Sequence, residues 1–164
     1  MRCPALRLAP FWDVARGGTP VYATGMTDFA EIAENLSFLD DWEDRYRYLI
    51  ELGQSLPPMD EALKTEASKV NGCVSQVWVF ASIEAGDPRK CMHFVADSDA
   101  AIVKGLVAVL LAFYSGQPAE AIAEKDAIAA LDEIGLREHL TSQRSNGLVS
   151  MVRRMQSEAQ RALQ

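Results

Sequence analysis

One segment that is apolar on every side constrains the fold of this chain most strongly. Residues 100–114 contain one charged residue, Lys104, and end in nine apolar residues from Leu106 to Tyr114. A helix that is hydrophobic around its whole circumference offers no face to water, so the rest of the chain must surround it. The run is too short to span a bilayer, which takes about 18 apolar residues or more. We therefore predict a central buried helix over 100–114.

Amphipathic helices are expected on both sides of this segment. Upstream, one helix begins after Thr27 or Asp28, and a second starts near Asp40 or Asp41 and ends at Gly53. Downstream, short helices are expected after Pro118 and over 127–134. A final helix, capped by Thr141 or Ser142, reaches about Leu163.

The segment between these helices has the composition of a β-hairpin. Residues 74–83 are rich in Val, Ile, Phe and Trp, residues 84–89 include Gly86 and Pro88, and residues 91–96 return as a second strand. Two strands alone are marginal, so helices must cover one face. We predict an α+β fold with a small antiparallel sheet of two or three strands packed against several helices.

Length and charge indicate one domain that does not bind nucleic acid. The 164 residues fit a single domain, and the net charge of −7 repels phosphate. Residues 1–25 are rich in Pro and Gly and carry +2, which leaves −9 for the remainder. We expect residues 1–25 to be a loose N-terminal extension, or to lie upstream of a true start at Met26, and 26–164 to be the domain. No apolar run suits a signal peptide or a membrane span, so we expect a cytoplasmic protein.

Cys73 stands out among three cysteines that are spread along the chain. Gly72 precedes it and can turn the backbone sharply, while Ser75 and Gln76 follow it, which is polar and turn-prone company. Free cysteine is most often a buried small hydrophobe, and we give that structural role to Cys91. Cys3 falls in the extension and is expected to have no role. Reduced thiols are therefore expected, without a disulfide framework.

Four blocks of this sequence resemble the SufE family of sulfur-acceptor proteins in iron–sulfur cluster assembly, over about residues 28–160. The family pattern around the acceptor cysteine, Gly-Cys-x-Ser-Gln-Val-Trp, matches residues 72–78. The other three blocks, in the same order, are residues 41–57, residues 97–106, and residues 139–148, which include His139, Leu140, Thr141, Arg144, Ser145, Gly147 and Leu148. The chain departs from the pattern at Ser142, where the family often has Pro, and in residues 1–25, which have no counterpart.

The resemblance implies a function as well as a SufE/NifU-like fold. A pyridoxal-phosphate-dependent cysteine desulfurase of the SufS or CsdA kind would transfer a persulfide sulfur to Cys73, and this chain would deliver it to a cluster scaffold or another acceptor. The chain would stimulate the desulfurase without being an enzyme itself, as a monomer or homodimer. It would bind no cofactor or metal, because pyridoxal phosphate belongs to the partner. We expect Cys73 to pack against the core and to swing out on docking, with Gly72 as the hinge.

The surroundings of Cys73 are less determined by the sequence. No sequence neighbour is cationic, so thiolate support must come from elsewhere in the fold or from the partner. Candidates are Arg144, His139 and Lys104, of which Lys104 is expected to be a solvated surface charge. Asp99 either contributes to the environment of the loop or caps the following helix.

Three other functions remain open at this point. In the first, Cys73 belongs to a metal-binding scaffold with Cys91 and His93, which would share a strand face. In the second, it is the nucleophile of a hydrolase with His93 or His139 as its base. In the third, Cys73 is inert and the domain only mediates interactions.

Overall fold

The computed structural model describes residue 3 and residues 27–164. Our expectations for a loose extension over 1–25 and for a start at Met26 therefore lie, apart from Cys3, outside the described residues. In the described part no helix is both long and apolar enough to cross a membrane.

The predicted central helix is confirmed. Helix α3 runs over Ala101–Tyr114 and is buried along nearly its whole length. Helices α1, Phe29–Ser37, and α2, Trp42–Gln54, pack against it. Both begin as expected, because the side chain of Asp28 accepts a hydrogen bond from Ala30 N–H at 3.2 Å and that of Asp41 accepts one from Glu43 N–H at 3.0 Å.

Two glycines allow α2 and α3 to approach closely. A Cβ atom on Gly105 would lie 2.2 Å from the carbonyl oxygen of Leu49, and one on Gly53 would lie 2.7 Å from the nitrogen of Gly105. The expectation that Gly53 ends α2 is therefore wrong, since the helix continues to Gln54 and Gly53 lies buried inside it. Gly53 is needed for the approach of the helices and not for their termination.

The sheet has three antiparallel strands in the order β1-β2-β3: Val77–Ile83, Cys91–Ser98 and Gln117–Pro118. The register pairs Val77 with Ser98 and Ile83 with Met92. The first strand begins three residues later than predicted, because residues 74–76 belong to the loop that carries Cys73. One face of the sheet packs on α3.

Three further helices complete the described part of the fold: α4, Ala119–Glu124; α5, Ala127–Glu133; and α6, Ser142–Leu163. Helix α6 begins as predicted, with the Thr141 hydroxyl accepting a hydrogen bond from Arg144 N–H at 3.4 Å. Six helices and a three-stranded antiparallel sheet, counted over the described residues, confirm the α+β class.

The cysteines are paired differently from the sequence expectation. Cys3 and Cys91 form a disulfide with their Cα atoms 6.3 Å apart, and Cys73 is the free cysteine. The expectations of three reduced thiols and of a Cys3 without a role are therefore wrong. The two cysteines are 88 residues apart, so no short-range sequence pattern predicts their pairing. They meet because the N–H of Cys3 donates to the carbonyl of Gly116, beside the first residue of β2.

Candidate functional site

Cys73 lies on a six-residue loop, 71–76, that leads into β1. The loop is closed at its base by a hydrogen bond from Val70 N–H to the carbonyl of Val77 at 2.8 Å. A second fastening joins Gln76 to Asp99: the Asp99 side chain accepts from Gln76 N–H at 3.0 Å, and Asp99 N–H donates to the Gln76 carbonyl at 3.2 Å. These bonds leave residues 71–75 as the span that presents the thiol.

Asp99 therefore fastens the loop and does not cap α3. The N-cap residue of α3 is Ala100, and no side chain makes a capping hydrogen bond there. Of the two roles considered from the sequence, the contribution to the environment of the loop is the one that this geometry supports.

Gly72 makes the turn that directs Cys73 inward. Its φ is 92°, in the left-handed region that side chains rarely adopt. A Cβ at this position would also lie 2.6 Å from the Oγ of Ser150 on α6. The backbone conformation therefore favours glycine at this position, and a side chain here would also displace the Ser150 hydroxyl.

The Cys73 thiol is half-buried against α6. Its Sγ donates a long hydrogen bond to the carbonyl oxygen of Gly147, at 3.5 Å. A Cβ on Gly147 would lie 3.5 Å from the same sulfur, an ordinary van der Waals contact, so α6 lies directly against the thiol at this residue. Burial raises the pKa of Cys73, because an apolar surrounding disfavours the thiolate. At neutral pH the resting group is a protonated thiol.

A cavity of about 270 Å³ opens beside the thiol. It lies between the loop, α3 and the first half of α6. Its lining residues are Cys73, Val74, Ser75, Val103, Leu106, Thr141, Gln143, Arg144, Gly147 and Met151. Val74, at the tip of the loop, is 77% exposed.

A larger groove of about 630 Å³ runs along α2 but does not have the features of a reaction site. Its lining residues all come from this one helix, from Trp42 to Gln54, and include no thiol. The Cys73 cavity, in contrast, is lined by groups from the loop, α3 and α6.

Of the three candidate cations, the fold brings Arg144 to the Cys73 cavity. Its guanidinium donates to the hydroxyl of Tyr46 and lies 5.7 Å from the centre of that ring. His139 is stacked on Trp42, with ring centroids 4.5 Å apart, and Lys104 pairs with Asp97 at 3.0 Å. Lys104 is therefore paired and partly buried, contrary to the expectation of a solvated charge.

Among the described residues, neither histidine is placed next to Cys73 to serve as the base of a hydrolase. His93 lies beside Glu84, at 3.8 Å, and neither histidine lines the Cys73 cavity. The nearest polar partner of the sulfur is the carbonyl oxygen of Gly147.

The proposed metal set of Cys73, Cys91 and His93 is wrong as well. Cys91 is bonded to Cys3 and lies at the start of β2, beside the end of β1, whereas Cys73 precedes the start of β1. Within the described residues, the one group of three candidate ligands is Cys3, Asp87 and Cys91, which includes neither Cys73 nor His93.

Sequence reasoning did not identify Gly147 and Ser150 as residues that form the site. A signal was available for Gly147, because glycine in a helix interior costs about 1 kcal/mol relative to alanine and therefore calls for a packing reason. Ser150 carries no such signal, since its contact with Gly72 depends on how α6 lies across the loop.

Comparison with known proteins identifies the family. Residues 30–159 match the SufE family, described as an Fe-S metabolism associated domain. The chain belongs to this family. It is 54% identical over 135 residues to an uncharacterised SufE-like protein of Rhizobium etli, covering 82% of this chain and 90% of that protein.

Two further relatives bear on function and fold. The sulfur acceptor protein CsdE of Escherichia coli is 40% identical over 125 residues, covering 76% of this chain and 83% of CsdE. The solution structure of a hypothetical protein from Thermus thermophilus superposes with a TM-score of 0.66 at 25% identity, covering 82% of this chain and 95% of that one.

Proposed function

We propose that this protein accepts a sulfur atom on Cys73 from a pyridoxal-phosphate-dependent cysteine desulfurase and delivers it for iron–sulfur cluster assembly. The observation that carries the proposal is the placement of the free cysteine on a loop, over a cavity that contains Arg144 and beside the exposed Val74. Membership of the SufE family and the relative named as a sulfur acceptor support it. The protein acts as a covalent partner of the desulfurase in the cytoplasm and itself binds no pyridoxal phosphate.

The transfer is a thiol–disulfide type of exchange without net oxidation. The Cys73 thiolate attacks the outer sulfur of the persulfide on the desulfurase, a new S–S bond forms on Cys73, and the old S–S bond breaks. The desulfurase cysteine leaves as a thiolate, and the proton from Cys73 passes to solvent or to a group of the partner. A second exchange of the same kind hands the sulfur to a cluster scaffold or another acceptor.

The resting site is not ready for this reaction, because the thiolate is the nucleophile. Burial raises the pKa of Cys73, because it disfavours the charged thiolate. The loop must therefore leave its position on α6 before the thiol ionises readily. Gly72 supplies the turn about which the loop moves, and contact of the desulfurase with Val74 and the rim of the cavity favours the open position.

The same arrangement protects the product. A persulfide held in solvent is exposed to other thiols and to oxidants. Return of the loop brings the terminal sulfur back to the cavity that Arg144 also lines, and a guanidinium is a suitable partner for a persulfide anion. The Arg144 guanidinium also donates a hydrogen bond to the Tyr46 hydroxyl.

Intact-mass measurement tests the proposal directly. The protein is incubated with a cysteine desulfurase and L-cysteine, without reductant. We expect a gain of one sulfur atom in the wild type and in the matched control Cys3→Ser, and no gain in Cys73→Ser. Release of alanine by the desulfurase should accelerate with the wild type and not with Cys73→Ser. An equal gain in Cys73→Ser, or no gain in the wild type, contradicts the proposal.

The role of Arg144 has a separate test. Arg144→Gln should shorten the lifetime of the persulfide in the presence of a small thiol, and Arg144→Lys should restore part of it by keeping the charge. Tyr46→Phe removes the hydroxyl that holds the guanidinium and should have a smaller effect in the same direction. Equal lifetimes in Arg144→Gln and the wild type would exclude this role.

A further inference from the structure

We infer that Cys3 and Cys91 form a redox-controlled covalent link, separate from Cys73, that joins the N-terminal part of the chain to the end of the β1–β2 hairpin. When the link is closed, Cys73 is the protein's one thiol. The inference concerns the two cysteines that the proposed sulfur transfer does not use, and its test does not involve a desulfurase.

The pairing is supported by contacts other than the bond between the sulfurs. Cys91 is fully buried and Cys3 is 9% exposed. The N–H of Cys3 donates to the carbonyl of Gly116 at 2.9 Å, and Gly116 N–H donates to the carbonyl of Met92 at 2.8 Å. Residue 3 is thus held beside β2 by the backbone, which keeps the two thiols close together when the bond is open.

A metal site formed by the same residues is the competing interpretation. Cys3, Cys91 and Asp87 bring two sulfurs and a carboxylate within 4.8 Å of one another, a set that suits zinc. However, both carboxylate oxygens of Asp87 already bind Arg89: Oδ1 accepts from the backbone N–H at 2.8 Å and from Nε at 3.2 Å, and Oδ2 from Nη2 at 3.1 Å. The sulfurs are bonded to each other, and the carboxylate is engaged, so the arrangement favours a disulfide.

Closure of the link is a balanced exchange with a low-molecular-weight disulfide such as glutathione disulfide. The thiolate of Cys3, the more exposed of the two, attacks the small disulfide and releases one small thiol, and Cys91 then displaces the other. The two protein thiols are oxidised, the small disulfide is reduced to two thiols, and the two protons pass to the products. An excess of the small thiol reverses both steps. In a reducing compartment, protein disulfides are typically transient or redox-sensing.

The link cannot exchange with Cys73 inside the folded chain. Cys91 follows Lys90 at the turn end of the hairpin, while Cys73 precedes Val77 at the other end of β1. Seven strand residues at about 3.3 Å each separate the two positions by roughly 20 Å. Closure therefore removes two competing thiols from a protein whose work is thiol chemistry, and it does so without engaging the reactive one.

The full-length protein is prepared without reductant and its thiols are counted in denaturant. We expect one thiol per chain, Cys73, and three after reduction, with the Cys3–Cys91 peptide recovered by mass mapping. Mixtures of reduced and oxidised glutathione should convert one form to the other. Because the bond closes a loop with a sequence separation of 88 residues, reduction should lower the urea midpoint of unfolding.

Matched variants separate the link from other effects of reduction. Cys73→Ser should keep the drop in urea midpoint, and Cys3→Ser should show the lower midpoint with and without reductant. Three free thiols in the air-oxidised wild type would overturn the inference, as would a disulfide that includes Cys73. One zinc ion per chain that is retained by the wild type and lost in Cys3→Ser would also overturn it, in favour of the metal site.

Discussion

We predict that the hydrogen bond between Asp99 and Gln76 limits how often the Cys73 loop opens. The Asp99 carboxylate accepts this hydrogen bond from Gln76 N–H at 3.0 Å, at a position exposed to solvent. Hydrogen bonds to charged groups contribute about 1.5–3 kcal/mol, and exposure brings this one down to about 1 kcal/mol. Since 1.4 kcal/mol is a factor of ten, Asp99→Ala should raise the open population about fivefold.

Alkylation of Cys73 by iodoacetamide reports on that population, because the half-buried thiol should react much faster from the open loop than from the closed one. Under conditions where closing is faster than alkylation, the rate should rise about fivefold in Asp99→Ala, in proportion to the open population. Asp99→Asn keeps an oxygen acceptor without the charge and should give an intermediate rate.

Glu66→Ala is the matched control for this series. The Glu66 side chain is 94% exposed and pairs with Lys69 at 3.9 Å, so Glu66→Ala removes one negative charge, as Asp99→Ala does, without removing a hydrogen bond of the Cys73 loop. An unchanged rate in Asp99→Ala, or the same acceleration in Glu66→Ala, would refute the reasoning. If Cys73 is alkylated at the same rate in Asp99→Asn as in Asp99→Ala, the effect comes from the charge of Asp99 and not from its hydrogen bond.

Three other perturbations give distinct outcomes. Gly147→Ala places a Cβ 3.5 Å from the Cys73 sulfur, an ordinary contact, and should leave alkylation nearly unchanged, whereas Gly147→Leu should displace the loop and expose the thiol to faster alkylation. Gly105→Ala forces a Cβ to 2.2 Å from the Leu49 carbonyl oxygen, and overpacking of this kind costs about 1–3 kcal/mol. The midpoint of thermal unfolding should therefore fall by several degrees, and an unchanged midpoint would contradict the close contact. Burial raises the pKa of Tyr114 to about 12 from 10.0, so the native state keeps its proton longer than the unfolded state. The stabilisation by the protonated Tyr114 is therefore present below pH 10 and is lost as the pH rises towards 12. Urea unfolding over this pH range should show the loss in the free energy of unfolding of the wild type, and a smaller loss in Tyr114→Phe.

The central helix and the Cys73 loop were predictable because each depends on local information. An all-apolar run can only be buried, which fixes α3. A glycine before a cysteine in polar company indicates a turn that presents the thiol, and Gly72 has the positive φ that this requires. The caps at Asp28 and Asp41 follow from the same kind of short-range pattern.

The remainder of the site depends on contacts between distant parts of the chain. Asp99 reaches Gln76 across 23 residues, and Arg144 reaches Tyr46 across 98. Neither partner is marked in its own segment, and Asp99 sits where a helix cap is the simpler expectation. The raised pKa of Cys73 also follows from packing against α6, which sequence spacing does not show.

The contact between Gly53 and Gly105 restricts how sequences with this fold can vary. Where α2 and α3 approach so closely, the backbone of one helix occupies the volume that a side chain on the other would need. A chain with alanine at position 105 must shift α2 relative to α3, and Tyr46 on α2 shifts with it, which alters the hydrogen bond between Tyr46 and Arg144. In an alignment of related chains, loss of glycine at 105 should therefore be accompanied by change at positions 46 and 144. The pair of glycines would then serve as a sequence marker for an intact Cys73 cavity, at positions that do not themselves line it.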